Sequence, residues 1–175
     1  VRGGPHRHTA ARIETLAGDT TVGHAIAWAQ VFEALSATTA PPRAQAIRGI
    51  ALELERLANH AGDLGALAGD VGFLPTASFC GRLRGDFLNM TALACGNRFG
   101  RGLVRPGGTL VDLDAPLVEE LLRRLDVTMK DLRGAIELLF STSTVVARFE
   151  GTGKVDPAVA ESLGLVGPAA RACGI

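Results

Sequence analysis

The sequence predicts a mainly all-α protein, an antiparallel bundle of about four long helices with minor β and loop segments. Three observations support this fold class. Apolar residues recur every three or four positions through the longest helical segment, three further segments share helical spacing, and strand-like stretches are short. Amphipathic helices with short or moderate connections favour an antiparallel bundle, which we expect to form a single domain over residues 1–175.

The first two long helices are predicted over Val22 to Ala37 and over Pro41 to Phe73. The prolines that open the second helix cost little there, because amides of a first helical turn have no partner within the helix. Apolar residues of this second helix follow a 3.5-residue repeat, which is typical of a bundle helix covered by a neighbour. This apolar row consists of Ile47, Ile50, Leu54, Leu57, Ala61, Leu64, Ala68 and Val71.

A row of titratable residues runs beside that apolar row, one position earlier along the same helix. Its spacing of three, four, three and seven places the members on one line. The row consists of Glu53, Arg56, His60, Asp63 and Asp70. Two interpretations stay open: a functional line of titratable groups, or the solvated flank of a surface helix.

The third helix is predicted over Thr76 to Cys95, and Gly96 and Asn97 mark its end. The fourth long helix is predicted with Asp114 as its N-cap and Pro116 in its first turn. Its apolar face consists of Val118, Leu121, Leu125, Met129, Leu132, Ile136 and Leu139.

Weak strand patterns are confined to Val145–Phe149, Leu110–Asp112 and the C-terminal tail. No G-x-G-x-x-G sequence follows a strand, so the dinucleotide-binding fingerprint is absent. Lys154 follows a G-x-G sequence but precedes a valine, which does not match the phosphate-binding loop of nucleotide hydrolases. The chain itself is therefore not expected to bind a nucleotide through either motif.

Composition excludes several functional classes. The 18 Lys and Arg residues balance the 18 Asp and Glu residues, so no overall charge favours nucleic acid or an anionic membrane. Cys80, Cys95 and Cys173 are too widely spaced for a CxxC motif, and their odd number favours a reducing cytoplasm. No stretch approaches the ~20 apolar residues of a membrane span. The opening VRGGPHRH lacks the apolar core of a signal peptide.

Two sequence segments carry a resemblance to a known family, NRFGRGLVRPGG at Asn97–Gly108 and ELERLANHAGDLGALAGDVGF at Glu53–Phe73. Together they resemble the large subunit shared by nickel-iron hydrogenases and the 49 kDa-type subunit of respiratory NADH:quinone oxidoreductase. The resemblance extends from about Ala17 to the end of the chain. We therefore expect the chain to be the central part of a larger polypeptide, or a shortened relative.

The family's metal-binding pattern, Cys-Gly-x-Cys followed by x-x-x-His, corresponds to AGDTTVGH at Ala17–His24. In the hydrogenase relatives both cysteines ligate nickel and iron, because soft thiolates suit these metals. Ala17 and Thr20 replace them here, so the resemblance implies that this chain binds no metal. It favours the quinone oxidoreductase branch, in which the ancestral metal cavity has become a chamber for the quinone head group.

The resemblance also implies site residues, although no catalytic residue is assigned. His24, His60 and Asp70 are expected to line a quinone cavity, and Asp70 matches the family aspartate that hydrogen-bonds the quinone-site histidine. Arg98 and Arg105 are expected to face a partner subunit whose iron-sulfur cluster is easier to reduce near positive charge. The alternatives are a core or capping histidine, a solvated aspartate and ordinary surface arginines.

The implied function is that of an oxidoreductase component, inactive alone, in an NADH dehydrogenase-type electron-transport complex that binds NAD and quinone. The iron-sulfur cluster belongs to a partner small subunit, and this chain binds no cofactor by itself. We expect a cytoplasmic location, peripheral on the inner face of the membrane, and self-association when the chain is isolated. The alternatives are a true nickel-iron hydrogenase large subunit and a non-catalytic helical scaffold.

Overall fold

Eight helices and one two-stranded sheet form residues 8–175, the part of the chain that the computed structural model describes. The prediction of a mainly all-α protein with four long helices and minor β structure is confirmed. Residues 1–7, with most of the VRGGPHRH run, lie outside the described residues. The helices are α1 (Thr9–Ile13), α2 (Thr21–Leu35), α3 (Pro42–Asp70), α4 (Leu74–Cys95), α5 (Ala115–Ser141), α6 (Ser143–Phe149), α7 (Pro157–Ser162) and α8 (Gly167–Ala172).

The described chain divides into two compact units. The first ends at Leu139 and holds α1 to α4, the sheet and nearly all of α5. The second is Phe140–Ile175, with α6 to α8, where the rings of Phe140 and Phe149 lie 6.2 Å apart between centroids. Every residue of the candidate site described below belongs to the first unit.

The sheet consists of β1 (Val104–Arg105) and β2 (Gly108–Thr109), paired antiparallel. The three strand predictions are wrong, because the stretch from Val145 lies in α6, the tail forms α7 and α8, and Leu110–Asp112 is not a strand. Strand propensity needs a second strand to pair with, and otherwise local helical hydrogen bonds prevail. Within residues 8–175, only the turn between β1 and β2 brings two segments together in this way.

Helices α3 and α4 form a closely packed antiparallel hairpin, since only residues 71–73 connect them. The buried face of α3 is rich in alanine, and Gly65 continues its row of small residues. A Cβ atom at Gly65 would lie only 3.1 Å from Cβ of Cys80 on α4. Small side chains therefore let the two helices approach closely near their connection.

The predicted apolar row of α3 is mostly correct, but it is wrong at Ile50, which is 42% exposed. Ala51 and Ala58 are buried instead, at 3% and 1% exposure. The reason is the close approach of a neighbouring helix, which selects the face with small side chains rather than the face with the bulkiest ones. The sequence pattern therefore predicts the period of the row better than its orientation.

Helices α4 and α5 complete the core of the first unit. Leu83 and Phe87 of α4 are fully buried, and Leu121, Leu132 and Leu139 bury the predicted face of α5. The predicted cap of α5 is confirmed, because the N–H of Leu117 donates to Oδ1 of Asp114 at 3.0 Å. None of the helices within residues 8–175 combines the length and apolar content that crossing a membrane requires.

Candidate functional site

The first turn of α2 is capped by a side chain from α3. The N–H of Val22 donates to Oε2 of Glu55 at 2.6 Å, and the N–H of Gly23 donates to Oε1 at 3.0 Å. Thr20, at the N-cap position, provides no side-chain cap of its own. Glu55 therefore satisfies two amides that α2 cannot satisfy internally, and its negative charge suits the positive end of the helix dipole.

His24 lies in the same turn and is half-buried. Its Nδ1 atom lies 2.7 Å from the carbonyl oxygen of Thr20 and 2.9 Å from the Thr20 hydroxyl. A carbonyl only accepts, so the shorter contact requires Nδ1 to carry the proton. In the neutral imidazole, Nε2 is then left as an acceptor.

The segment before α2 is tied to both helices of the hairpin. Asn59 of α3 donates to the carbonyl oxygen of Asp19 at 2.9 Å, and Arg84 of α4 forms an ion pair with the Asp19 carboxylate at 2.7 Å. Between this segment and the hairpin lies a cavity of about 10 Å³, bordered among others by Glu55 and Arg98. It accommodates one water molecule at most, so any organic ligand needs walls beyond this cavity.

The arginine loop, defined as Asn97–Gly108, is held through its backbone by buried charged side chains. The N–H of Gly102 donates to Oε1 of Glu14 at 2.8 Å. The N–H of Gly107 donates to Oε1 of Glu33 at 2.7 Å. Because both carboxylates lie outside the loop, α2 and the segment that precedes it determine where its backbone runs.

Arg48 of α3 binds the same loop through two of its backbone carbonyl groups. Its Nη2 atom donates to the carbonyl oxygens of Arg105 at 2.6 Å and Gly108 at 3.0 Å. It also pairs with Glu33 at 2.6 Å, and the two side chains are only 6% and 11% exposed. The guanidinium of this buried ion pair donates to the loop, and the carboxylate accepts from it. These hydrogen bonds compensate the loss of hydration of each charge.

Gly100 brings the arginine loop against the first turn of α2. Its φ is +71°, a left-handed conformation that glycine adopts without a steric penalty. A Cβ atom there would lie 2.5 Å from Cγ2 of Val22, far inside contact distance. The loop can therefore reach α2 only with glycine at this position.

Glu33, which binds one amide of the loop, and Glu55, which binds two amides of α2, have pKa values that are shifted in opposite directions. A hydrogen bond from Arg48 is the main reason that the pKa of Glu33 lies below its ordinary value. Burial is the main reason that the pKa of Glu55 lies above its ordinary value, although the amides of Val22 and Gly23 act in the opposite direction. Charge on His24 lowers the pKa of Glu55, and charge on Asp19 raises it.

The structure brings only some of the predicted site residues together. His24 and Arg98 lie at the end of the first unit where α2 begins, whereas Asp70 is the last residue of α3. Asp70 is eleven residues beyond Asn59, about 16 Å along the helix. His60, Asp70 and Arg98 are exposed and Arg105 is half-buried, and the roles expected for them stay predictions.

The positions that match the family cysteines are Ala17, which is exposed, and Thr20, which bonds to His24. Across residues 8–175, no three or more His, Cys, Asp or Glu side chains are grouped so that they could hold a metal ion.

Sequence reasoning missed the charged residues that hold this region together, namely Glu14, Glu33, Arg48 and Glu55. One sequence feature pointed to two of them, because Glu33 and Arg48 interrupt otherwise apolar helical stretches. A charged residue within or beside an apolar row requires a partner of opposite charge or a set of backbone groups. The identity of those partners is not visible in the local sequence.

Comparison with known proteins shows which proteins this chain resembles. The family described as respiratory-chain NADH dehydrogenase, 49 Kd subunit, matches residues 70–175. NADH-quinone oxidoreductase subunit 4 of Thermus thermophilus is 37% identical over 153 residues, which cover 87% of this chain and 37% of the relative. An NADH-quinone oxidoreductase subunit of Akkermansia muciniphila is 33% identical over 150 residues, 86% of this chain and 36% of the relative.

A third relative, an NADH-quinone oxidoreductase subunit of Rhodospirillum rubrum, is 32% identical over 149 residues, 85% of this chain and 38% of the relative. The chain thus spans a little more than a third of the length of these relatives.

Proposed function

The chain belongs to the 49 Kd subunit family of respiratory-chain NADH dehydrogenase, and on this basis we propose that it is the helical core of such a subunit in a multi-subunit redox complex. In this role it is an oxidoreductase component that is inactive alone, in a complex that carries electrons from NADH to quinone. It packs on an iron-sulfur small subunit and forms one wall of a quinone cavity. The complex works at the inner, cytoplasmic face of a membrane, to which this chain is peripheral.

The arginine loop is the observation that carries this proposal. Buried Glu14, Glu33 and Arg48 hold its backbone, yet the side chain of Arg98 is exposed. A loop that is fixed by its backbone presents its charges at defined positions, which is what recognition of a partner surface requires. Within residues 8–175, Arg98 forms no ion pair, so its charge is available to a partner.

The quinone-cavity part of the proposal assigns His24, His60 and Asp70 to the wall. Support comes from their access to a ligand or partner, since His60 and Asp70 are exposed and the contact with the Thr20 carbonyl uses Nδ1 of His24 and not Nε2. His60 and Asp70 lie along α3 and His24 lies on α2, so the three residues do not enclose one pocket. The opposite walls therefore come from other parts of the complex.

The arginine assignment is tested by Arg98→Gln in the assembled complex. We expect the midpoint potential of the partner's iron-sulfur cluster to fall, on the order of tens of millivolts, because a nearby positive charge favours the reduced cluster. Redox titration followed by electron paramagnetic resonance measures this potential. Arg133→Gln is the matched control, since Arg133 is exposed on α5, away from the arginine loop, and its loss should leave the potential unchanged.

An equal response of both variants would contradict the assignment of Arg98.

Asp70→Asn tests the cavity wall separately, through quinone-dependent activity and its sensitivity to quinone-site inhibitors. A complex that retains both properties unchanged would favour the non-catalytic scaffold. Stoichiometric nickel with sulfur ligation in the purified complex would instead favour a hydrogenase.

A further inference from the structure

We infer that Glu55 is a positioning residue for the first turn of α2: its carboxylate holds that turn in place, and protonation of that carboxylate loosens the turn. The inference rests on the contacts between α2 and α3 and does not require the proposed function. It concerns the part of the chain that carries His24, one of the candidate cavity residues. It therefore adds a residue from α3 to the candidate site.

The first support is the geometry of the cap. Each oxygen of the Glu55 carboxylate accepts one N–H, from Val22 at 2.6 Å and from Gly23 at 3.0 Å. The first turn of α2 contains no acidic residue, and its N-cap position makes no side-chain bond. At most helix N-termini, nearby residues in the sequence supply a negative charge and hydrogen-bond acceptors. Here Glu55 supplies both from another helix.

The second support is the space that the chain leaves for this carboxylate. A Cβ atom at Gly23 would lie 3.3 Å from Oε1 of Glu55, closer than side-chain contacts normally are. Gly23 is within helix α2, where glycine is less favourable than alanine because it loses more backbone freedom on folding. A glycine at this helical position is explained by the close approach of the carboxylate.

The third support is the absence of a competing partner within residues 8–175. The charged groups around Glu55 are His24 on α2, Asp19 before α2, Arg84 on α4 and Arg98 in the arginine loop. Arg84 forms its ion pair with Asp19, and no cation pairs with Glu55 within 4.0 Å in this part of the chain. The carboxylate is thus bound by the amides of α2.

Protonation changes what the carboxyl group can do. The ionised form offers two equivalent strong acceptors, whereas the protonated form retains one carbonyl oxygen and gains a donor. One of the two bonds to α2 is then weakened, and the interaction with the helix dipole is lost. Loosening the turn removes the two amides, which lower the pKa of Glu55, but leaves the burial that raises it. Protonation therefore favours the loosened turn, and burial makes this protonation begin at a higher pH than that of an exposed glutamate.

Hydrogen–deuterium exchange of the full chain tests the inference. Mass spectrometry of fragments covering residues 17–26 separates the amides of Val22 and Gly23 from that of His24, which bonds within the helix to the carbonyl of Thr20. In Glu55→Gln, we expect the protection factors of the first two amides to fall about five- to tenfold. Glu53→Gln is the matched control, since Glu53 is exposed on the same helix, and it should change neither amide.

The pH dependence distinguishes positioning by charge from a merely structural role. In the unmodified chain, the protection of Val22 and Gly23, corrected for intrinsic exchange, should fall as the solution is acidified from neutral pH. In Glu55→Gln it should not vary with pH. The inference is overturned if Glu55→Gln keeps both protection factors within twofold, or if the unmodified chain shows no such pH dependence. The second measurement needs no variant, so it decides the matter even if Glu55→Gln fails to fold.

Discussion

Beneath the arginine loop, Glu33 shares its carboxylate between a guanidinium and a backbone amide, whereas beneath the first turn of α2, Glu55 binds two backbone amides. Both hold a segment of the candidate site, yet the pKa of Glu33 is lowered and that of Glu55 is raised. Two amides therefore do not offset the cost of removing a carboxylate from water, while a paired arginine does.

The two regions consequently differ in how they respond to change. The arginine loop receives donors and an acceptor from the pair of Arg48 and Glu33, so loss of either partner leaves a buried charge. The first turn of α2 depends on one carboxylate that is already partly destabilised in its charged form. We expect the contacts of the arginine loop to contribute more to the free energy of unfolding and to be more sensitive to substitution. We expect the first turn of α2 to be more sensitive to pH.

The largest effect is expected for Arg48→Met. It removes the guanidinium and leaves Glu33 buried without a counter-charge, which costs about 3–5 kcal/mol of the free energy of unfolding. Urea denaturation followed by circular dichroism measures the loss. Arg56→Met is the control, because Arg56 and its partner Glu53 are 55% and 60% exposed, and such pairs contribute about 1 kcal/mol or less. A loss no larger than that of the control would show that the buried pair does not secure the arginine loop.

A smaller effect is expected for Gly100→Ala, which tests the contact between the two regions. The left-handed φ of +71° and the 2.5 Å approach of a Cβ atom to Val22 both oppose a side chain. We expect a loss of roughly 1–3 kcal/mol and faster amide exchange in both the arginine loop and the first turn of α2. Gly134→Ala is the control, since Gly134 lies in α5 with open space around it, and it should stabilise the chain slightly. If exchange rises in one region only, the two regions are not mechanically coupled.

The smallest effect is the pH dependence of stability, for which Glu33 and Glu55 have opposite signs. The pKa of Glu33 is lowered below 4.5, so its contribution to stability is present above that pH and is lost as pH falls through the lowered value. Complete unfolding, unlike loosening of the turn, also removes the burial that raises the pKa of Glu55 above 4.5. Relative to the unfolded chain, its charged form therefore weakens the folded state as pH rises from 4.5 through the raised value.

These two signs are separated by urea denaturation of single variants between about pH 3 and 7. Glu33→Gln should remove part of the stability loss seen on acidification below pH 4.5. Glu55→Gln should remove part of a decline seen as pH rises above 4.5. If both substitutions change the pH profile in the same direction, the contrast between the two carboxylates is wrong.

Local structure is largely predictable from particular residues. The second helix is predicted over Pro41–Phe73 and observed over Pro42–Asp70, and Asp114 caps α5 as expected. Helical hydrogen bonds and caps join residues three or four positions apart, so the local sequence contains the information that specifies them. The strand prediction at Val145–Phe149 is wrong for the related reason that strands need a distant partner.

The candidate site is less predictable, because its contacts join distant parts of the chain. Glu33 and Arg48 are 15 residues apart, Val22 and Glu55 are 33 apart, and Gly102 and Glu14 are 88 apart. The regular spacing of His60 and Asp70 makes them candidates, and both are exposed. Regular spacing places residues on one face of a helix, but it does not show whether that face is covered.

The order of residues along the chain is enough to specify the helical periods, the caps and the family to which the chain belongs, since these depend on neighbouring residues and on linear motifs. Packing in three dimensions specifies the rest: Ala51 is buried where Ile50 is exposed, and Glu55 rather than Thr20 caps α2. The physical reason is that burial and charge compensation depend on which distant surface is packed against a residue. A charge is stabilised by whatever donors the fold places beside it.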